Sequence, residues 1–287
     1  MYPPNFEYYR ASSIAEALSL LGQHSGAKVL AGGHSLIPAM NIRLADPGIL
    51  IDIGRVDELK GISAGSGSVR IGALTTHATI AASDQVPQAL SEAAGKIGDP
   101  QVRNRGTIGG NIAHADPASD LPTVLTALGA TIHLTSAGGD RTLAAADFFT
   151  GSLETAMQEG EIITAIEVPV PGNGSGSAYA KLANPASRYA MVGAAATVSL
   201  AGDQCAEAGV AVGGLTPKAT RAMSVEAALV GKTLNAETIA EAAEAVQKDL
   251  GDDILYDIQA GAEYRKSMAT VFVKRAIAAA VERAKAH

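Results

Sequence analysis

The sequence predicts an α+β fold class with at least two domains. Mixed strand and helix patterns fill residues 1–172, a glycine-, proline- and serine-rich run follows, and residues 178–287 place strands before helices. With 287 residues, 47% of them apolar and 18% charged, the chain can bury a large core. We therefore expect one domain over residues 1–172, with subdomains at about 1–55 and 56–172, and a smaller domain over residues 178–287.

The first domain begins with a short amphipathic helix. Ser13 and Glu16 have the spacing of a capping box, and apolar residues then recur at helical spacing until Gly22. Two short apolar runs, residues 28–31 and 49–53, predict buried strands. Further patterns in this domain predict strands at residues 69–74, 130–135 and 162–168, and helices at 76–82, 87–97 and 121–128.

Residues 98–120 carry no regular pattern and are rich in glycine, asparagine, aspartate and proline. A connection of this length inside a domain is usually either functional or disordered. The apolar residues embedded in it favour a functional segment.

Residues 169–177 are the clearest linker in the sequence, with three glycines, two prolines and two serines. Strands are predicted beyond it at residues 179–182, 193–200 and 208–213, followed by helices at 223–230, 236–250 and 260–285. This order of strands and then helices indicates a separate α+β domain.

Charge and cysteine content exclude several classes of function. Lysine and arginine total 22 against 29 aspartate and glutamate, a net charge of −7, which argues against nucleic acid or an anionic membrane as partner. Cys205 is the single cysteine, so this chain cannot ligate an iron–sulfur cluster or a cysteine-rich zinc site. Without a signal-peptide pattern or an apolar run near the roughly 18 residues that span a bilayer, we expect a cytoplasmic protein with no integral membrane contact.

Two glycine-rich loops are the candidate binding elements. They are Ala31-Gly32-Gly33-His34-Ser35, after a predicted strand, and Gly106-Thr107-Ile108-Gly109-Gly110-Asn111, within residues 98–120. Glycine permits successive amides to point into one concavity and hold a phosphate, although each loop alone is also compatible with a plain turn. Neither loop has the G-x-G-x-x-G spacing or a terminal G-K-[ST]. Two separate loops instead suit a ligand with two linked phosphates, such as FAD.

Three motifs in a fixed order make a resemblance specific. They read Leu30-Ala31-Gly32-Gly33-His34-Ser35-Leu36-Ile37-Pro38, Ile71-Gly72-Ala73-Leu74-Thr75-Thr76-His77, and Thr107-Ile108-Gly109-Gly110-Asn111-Ile112-Ala113-His114-Ala115-Asp116-Pro117-Ala118-Ser119-Asp120. In order and spacing they resemble the FAD-binding medium subunits of molybdenum hydroxylases, the family that includes the carbon monoxide dehydrogenase medium subunit and the xanthine dehydrogenase FAD domain. The likeness covers essentially the whole chain.

The resemblance implies a vanillyl-alcohol-oxidase (PCMH)-type FAD-binding fold, with two α+β subdomains around FAD and a third domain over it. In the family both glycine loops contact the FAD pyrophosphate, and the strand before the first loop lines the same groove. The residues to which it assigns FAD binding are Lys28, Val29, Leu30, Ala31, Gly32, Gly33, His34, Ser35, Leu36, His77, Ile97, Thr107, Ile108, Gly109, Gly110, Asn111, Asp120, Ile163, Lys181 and Tyr189.

Several of these residues have specific implied roles. Ile163 resembles an apolar residue beside the adenine, and Ile97 stands where relatives have an aromatic residue by the flavin. Lys181 matches a lysine near the flavin, where a cation would stabilise the charge of the reduced cofactor, or is a surface lysine on a strand. Tyr189 is a hypothesis rather than a matched position, because relatives have a tyrosine nearby within a different flanking sequence. It either stacks on the isoalloxazine ring or is a core tyrosine.

His34, His77 and His114 each lie in a motif, but their spacing follows no metal-ligand pattern. Positions near phosphate or ribose suit them better, so no metal site is predicted. Cys205 follows a predicted turn and has no histidine close in sequence, so we expect a structural role for it.

The resemblance implies an electron-transfer subunit with no catalytic side chain of its own, because the flavin performs the redox chemistry. Its implied partners are a small subunit with two [2Fe-2S] clusters and a large molybdopterin subunit, assembled as a dimer of heterotrimers. One alternative is a stand-alone FAD-dependent oxidoreductase, which would need an acid or base in residues 178–287. The other is a non-catalytic domain that binds partners through its last helices.

Overall fold

Sheets organise the chain in the computed structural model, which describes residues 2–170 and 172–286. Met1, His287 and Pro171 of the predicted linker lie outside the described residues. The strands are β1 (Glu7–Arg10), β2 (Lys28–Leu30), β3 (Ile49–Asp52), β4 (Ile62–Ala64), β5 (Ser68–Gly72), β6 (Thr131–Ser136), β7 (Gly139–Ala144), β8 (Phe149–Gly151), β9 (Glu154–Thr155), β10 (Ile162–Pro169), β11 (Ser175–Ala183), β12 (Ala190–Ala201), β13 (Gln204–Gly213) and β14 (Thr220–Arg221).

Helices cover the sheets and connect their strands. They are α1 (Ile14–Gln23), α2 (Leu36–Asn41), α3 (His77–Ala81), α4 (Gln88–Gly95), α5 (Pro100–Arg103), α6 (Ile108–His114), α7 (Asp120–Ala127), α8 (Ala145–Phe148), α9 (Met223–Leu229), α10 (Ala236–Glu244) and α11 (Ala262–Ala286), with 3-10 turns at Asp57–Leu59 and Ala245–Lys248. None of the helices in the described ranges combines the length and the apolar character that crossing a bilayer requires.

The amino-terminal sheet is parallel, with strand order β1-β3-β2. Helix α1 begins where Ser13 accepts a hydrogen bond from the Glu16 amide at 3.1 Å. The predicted capping box is wrong in its second half, because the Glu16 carboxylate accepts from the Ser12 amide at 2.8 Å instead. The predicted stop at Gly22 is one residue early. Strands β2 and β3 are confirmed within a residue, whereas β1 and α2 have no counterpart in the predictions.

The middle sheet is antiparallel, with order β4-β5-β10-β6-β7. Helix α7 packs between this sheet and the carboxy-terminal one, and all eight of its residues are buried. Gly209 and Gly213 of β13 permit this approach, since a Cβ would lie 2.3 Å from the Ala127 carbonyl oxygen at the first and 2.1 Å from Thr123 Oγ1 at the second. The close packing fixes Asp120, the first residue of α7, at the wall of the cavity described below.

The prediction that residues 98–120 are irregular is wrong. Helices α5 and α6 both lie inside this segment. Pro100 occupies the first turn of α5, and the Thr107 side chain caps α6 by accepting from the Gly110 amide at 3.2 Å. Helices of four and seven residues are too short for a periodic apolar pattern to develop.

The predicted linker over residues 169–177 is too long. Strand β10 continues to Pro169, and β11 begins at Ser175. Gly176 is packed against α11, where a Cβ would lie 2.2 Å from the Ala280 carbonyl oxygen. The glycine at position 176 therefore permits close packing of β11 against α11 and does not indicate a flexible linker. The predicted domain limits, 1–172 and 178–287, stay a prediction.

The carboxy-terminal sheet is antiparallel, with order β11-β12-β13-β14, and α11 packs across it. Its predicted strands and helices are present, but β11 and β13 each begin four residues before the predicted start, and β14 was not predicted. Helix α10 ends at Glu244 and continues as a 3-10 turn. Asn235 caps α10 in a capping box with Thr238. Cys205 follows a turn, as predicted, and lies at the start of β13, where burial raises the pKa of its thiol.

Candidate cofactor site

A cavity of about 930 Å³ lies between the amino-terminal sheet, the middle sheet and the loop that joins β11 to β12. Both glycine-rich loops line it. Of the residues predicted to bind the cofactor, all line this cavity except Ile108 and Lys181. The structure therefore brings together residues that are far apart in the sequence.

The first glycine loop begins at the carboxyl end of β2 and presents a run of free amides. Among the described residues, the backbone amides of residues 32–36 donate to no protein acceptor. Gly33 has a φ of +75°, in the left-handed region that glycine tolerates. Successive free N–H groups at such a turn form a concavity suited to an anion.

Gly32 lets the two loops come together. A Cβ on this residue would lie 2.1 Å from the Arg105 carbonyl oxygen, far inside contact distance. The carbonyl belongs to the residue just before the second loop. Only glycine therefore fits where the first loop crosses the second.

The second loop does not offer the same run of amides, which corrects the expectation that both loops are alike. The Ile108 amide donates to Thr75 O at 3.0 Å, the Gly109 amide to Ala73 O at 2.8 Å, and the Gly110 amide to Thr107 Oγ1 at 3.2 Å. Ile108 is fully buried and lies outside the cavity wall. This loop forms the start of α6. Its amides hydrogen-bond to the cap of the helix and to residues 73–75, the segment that follows β5.

The side chains of the second loop do reach the cavity. Thr107 and Asn111 both line it. The side-chain oxygen Oδ1 of Asn111 accepts from Ser119 Oγ at 2.8 Å, so the side-chain NH₂ group keeps its donors for another partner. Gly109 instead serves packing, since a Cβ there would lie 2.6 Å from the Ala73 Cβ.

His77 is the buried histidine of the cavity wall, with 3% of its surface exposed. Burial, and then the nearby His34, lower its pKa to about 4, so the ring is neutral near pH 7. Its Nδ1 has no partner among the described residues. Within residues 2–170 and 172–286, no three His, Cys, Asp or Glu side chains lie close enough together to hold a metal ion.

Asp120 and Lys181 form a buried ion pair. Lys181 Nζ lies 2.8 Å from Asp120 Oδ2, and the two side chains are 3% and 5% exposed. The alternative of a surface lysine is therefore wrong. Lys181 does not line the cavity itself but contacts Asp120, which does. Burial is the main cause that raises the pKa of Asp120, and the Lys181 ammonium partly opposes it.

Tyr189 stands in the loop between β11 and β12 and lines the cavity. It is 45% exposed, so the core-tyrosine alternative is wrong. Asn184 closes this loop, because its amide donates to Tyr189 O at 2.8 Å and its side chain accepts from the Ala186 amide at 2.9 Å. Desolvation, followed by Asp116 and Asp120, raises the pKa of the Tyr189 hydroxyl.

The remaining predicted residues complete the apolar wall. Ile97 and Ile163 are both mostly buried and line the cavity from α4 and β10 respectively, with Ile97 just beyond the end of its helix. The strand before the first loop, β2, contributes all three of its residues. The sequence did not predict the contributions of Leu153, residues 157–161 or Arg188, which lie in turns without a binding motif. It also missed Tyr179, whose hydroxyl contacts Asp120.

Two family profiles match the chain in order. The FAD binding domain of molybdopterin dehydrogenase matches residues 4–171, and the CO dehydrogenase flavoprotein C-terminal domain matches residues 177–280. The chain therefore belongs to the FAD-binding flavoprotein subunits of the molybdenum hydroxylases. This confirms the family and the cofactor, FAD, that the sequence predicted.

Similar proteins cover nearly the whole length. The chain is 41% identical over 279 residues to the glyceraldehyde dehydrogenase medium chain of Sulfolobus acidocaldarius, which covers 96% of this chain and 98% of the relative. It is 40% identical over 284 residues to the carbon monoxide dehydrogenase medium chain of Hydrogenophaga pseudoflava, with 98% of both covered. These relatives are subunits of dehydrogenases, so the class is oxidoreductase.

Solved structures confirm the α+β, PCMH-type fold class. Carbon monoxide dehydrogenase from Hydrogenophaga pseudoflava, in a form that lacks the Mo-pyranopterin moiety, matches with a TM-score of 0.94 and 42% identity over 99% of each chain. Quinoline 2-oxidoreductase from Pseudomonas putida 86 matches with a TM-score of 0.91 and 33% identity, again over 99% of each chain.

Proposed function

We propose that this chain is the FAD-carrying electron-transfer subunit of a molybdenum hydroxylase complex. It takes electrons from [2Fe-2S] clusters of a partner subunit and passes them to an external acceptor. The observation that carries the proposal is the run of free amides at residues 32–36, on the wall of a cavity of about 930 Å³, in a chain of this family.

The first loop would hold the FAD pyrophosphate. Amides 32–36 supply donors without a positive side chain, and the Ser35 hydroxyl lies beside them. From the opposite side, the Thr107 hydroxyl and the Asn111 amide group would add donors. A pyrophosphate has several acceptor oxygens on two phosphorus atoms, so donors from both loops match its chemistry.

The rest of the wall would orient the cofactor. Ile163 would pack beside the adenine, and Ile97 and Tyr189 would contact the flavin, which favours apolar and aromatic neighbours. Asp120 would accept a hydrogen bond from the cofactor, with Lys181 compensating its charge. When bound, FAD supplies the redox chemistry by accepting and releasing electrons, so no catalytic side chain is required.

The partners of the proposed complex are a small [2Fe-2S] subunit and a large molybdopterin subunit, in a dimer of heterotrimers. The single cysteine supports this, because the clusters must then be ligated by another chain. The medium-chain names of the relatives also support a multi-subunit assembly. The cytoplasmic location stays a prediction, which fractionation of cells would test.

Anaerobic reduction of the flavin tests the function. The complex would be purified through a tag on this chain, and the visible absorbance of FAD would be followed after substrate is added. The proposal expects reduction in the complex and none in the flavin-loaded chain alone. A control complex without the small subunit should also show no reduction.

The opposite result would favour the stand-alone oxidoreductase. If the chain alone, loaded with FAD, were reduced by an organic substrate at the rate of the complex, electron transfer from clusters would be unnecessary. Purification without any [2Fe-2S] partner, under conditions where the partner is expressed, would also contradict the proposal.

A further inference from the structure

A buried polar cluster lies behind one part of the cavity wall. We call Asp120, Tyr179 and Lys181 the Asp120 cluster. Asp120 is 4% exposed and Tyr179 is 3% exposed. Of the three, Asp120 is the one that lines the cavity. Tyr179 and Lys181 stand two residues apart on β11, so their side chains lie on the same face of the sheet.

Each oxygen of the Asp120 carboxylate has its own donor within this cluster. The Tyr179 hydroxyl donates to Oδ1 at 2.5 Å, and Lys181 Nζ donates to Oδ2 at 2.8 Å. A carboxylate can accept about four hydrogen bonds. Two donors from behind therefore fix the plane of the group and leave acceptor capacity on its cavity side.

The sheet reserves space for the Tyr179 hydroxyl. Gly193 of β12 pairs with Lys181, and a Cβ on Gly193 would lie 2.5 Å from the Tyr179 hydroxyl oxygen. The backbone of Tyr179 is also held on both sides, since its amide donates to Glu92 Oε2 at 3.0 Å and its carbonyl accepts from Lys96 Nζ at 2.7 Å. Hydrogen bonds therefore fix the backbone of Tyr179, and the absence of a side chain at Gly193 leaves room for its hydroxyl.

We propose that Tyr179 is a positioning residue, whose hydroxyl, together with the Lys181 ammonium, holds the Asp120 carboxylate as a hydrogen-bond acceptor for an N–H or O–H group of bound FAD. The inference rests on the proposed function and adds to it a residue that does not touch the cavity. A buried carboxylate that loses a donor becomes more costly in its charged form. It would then bind a proton or rotate away from the cofactor.

The pH dependence follows from the groups that face Asp120. They are Lys181 and Tyr179 on β11, Lys96 beyond α4, and Tyr189 in the loop after β11. Burial raises the pKa of Asp120, while Lys181 and the Tyr179 hydroxyl lower it. Removing the hydroxyl therefore raises this pKa further. FAD binding requires the charged Asp120 carboxylate as acceptor. When the pH is lowered, a chain without the Tyr179 hydroxyl should therefore lose FAD affinity at a higher pH than wild type does.

Titration of the full apo chain with FAD, followed by quenching of flavin fluorescence, tests the inference. For Tyr179→Phe we expect affinity about tenfold weaker than wild type near pH 7, since a hydrogen bond to a charged group is lost. The pH at which FAD affinity falls on acidification should also be higher than in wild type. Tyr256→Phe, at a tyrosine that is 77% exposed, is the matched control and should leave both unchanged.

A double-mutant cycle separates positioning from a general structural effect. In an Asp120→Asn background, Tyr179→Phe should change FAD affinity by less than about twofold, because its effect passes through the carboxylate. If Tyr179→Phe unfolds the apo chain, Gly193→Ala serves instead, since it keeps the hydroxyl and displaces it. The same shift of the pH profile is expected.

Two results would overturn the inference while leaving FAD binding intact. One is an affinity and pH profile of Tyr179→Phe equal to wild type. The other is a loss of the same size with and without Asp120. Absence of FAD binding by wild type, alone and with the partner subunits, would instead overturn the proposed function and this inference with it.

Discussion

Single atoms decide the shape of the cavity at the crossing of the two glycine loops. Gly32 meets the Arg105 carbonyl so closely that no side chain fits between them. Next to this contact, the amides of residues 32–36 donate to no acceptor among the described residues. The same glycine therefore joins the loops and keeps the donors in place.

Gly32→Ala should abolish FAD binding. The added Cβ would lie 2.1 Å from Arg105 O, so the two loops must move apart and the free amides of the first loop are displaced. We also expect a loss of about 2 kcal/mol in the free energy of unfolding, as for other overpacked sites. FAD titration and urea denaturation measure the two effects. Gly261→Ala, with no atom near the new Cβ, is the control. Normal FAD affinity in Gly32→Ala would contradict this account of the loop.

His77 should make the apo chain less stable at acid pH. The pKa of His77 is about 4 in the folded chain, whereas the ordinary value of 6.5 applies to the unfolded chain. Between these pH values the unfolded chain therefore binds the proton more readily. Stability therefore falls as the pH falls through this window. When the pH falls from 6.5 to about 4, we expect the free energy of unfolding of wild type to fall by about 3 kcal/mol more than that of His77→Gln. Urea denaturation measures both. Equal slopes for the two proteins would show that His77 is not buried as a neutral ring.

Residue types predicted much of the site, but not the partners of individual groups. Glycines and hydroxyls in the two loops indicated phosphate binding, and the structure leaves the first loop's amides free. That the Ile108 and Gly109 amides donate to Thr75 and Ala73 could not be predicted, because these partners meet only when the start of α6 packs against the segment that follows β5. Burial of Lys181 depends on tertiary packing in the same way.

At the scale of elements, short segments escaped prediction. Helix α5 begins at a proline and α6 is capped by Thr107, but both lack the length for an apolar period. Strand β1 is largely exposed and offers no alternating pattern. Long elements such as β12 and α11 were predicted within a few residues, because their apolar positions repeat many times.

Gly176→Ala should destabilise the packing of α11 on β11. Its Cβ would lie 2.2 Å from Ala280 O, and helix and strand must move apart. We expect a loss of about 2 kcal/mol in the free energy of unfolding, measured by denaturation with urea. Gly172→Ala, with open space around the new Cβ, should change it little. Equal effects would mean that residue 176 behaves as the linker that the sequence suggested.

The cap of α10 should matter for stability alone. Asn235 accepts from the amides of Glu237 and Thr238, both at 2.9 Å. Asn235→Ala should lower the free energy of unfolding by about 1 kcal/mol, and FAD affinity should remain that of wild type. Calorimetry and FAD titration of the same sample check both. A weaker FAD affinity would indicate that α10 contributes to the cofactor site.

At the scale of the whole molecule, the amino-terminal sheet, the middle sheet and the loop between β11 and β12 surround the cavity, so residues from both family-matched regions line it. The core beneath it is shared, since Tyr179, Ala195 and Ala211 of the carboxy-terminal sheet belong to the same buried cluster as α7 and the middle sheet. A net charge of −7 means that an anionic cofactor must be held by local donors. The free amides of the first loop supply them.

The stoichiometry and affinity of FAD binding to the purified full chain test this account most directly. Titration of the apo chain should reach about one FAD per chain, because the first glycine loop supplies one run of free amides for one pyrophosphate, and bound FAD should raise the unfolding temperature. The contradictory result is that the chain binds no FAD, either alone or together with its partner subunits.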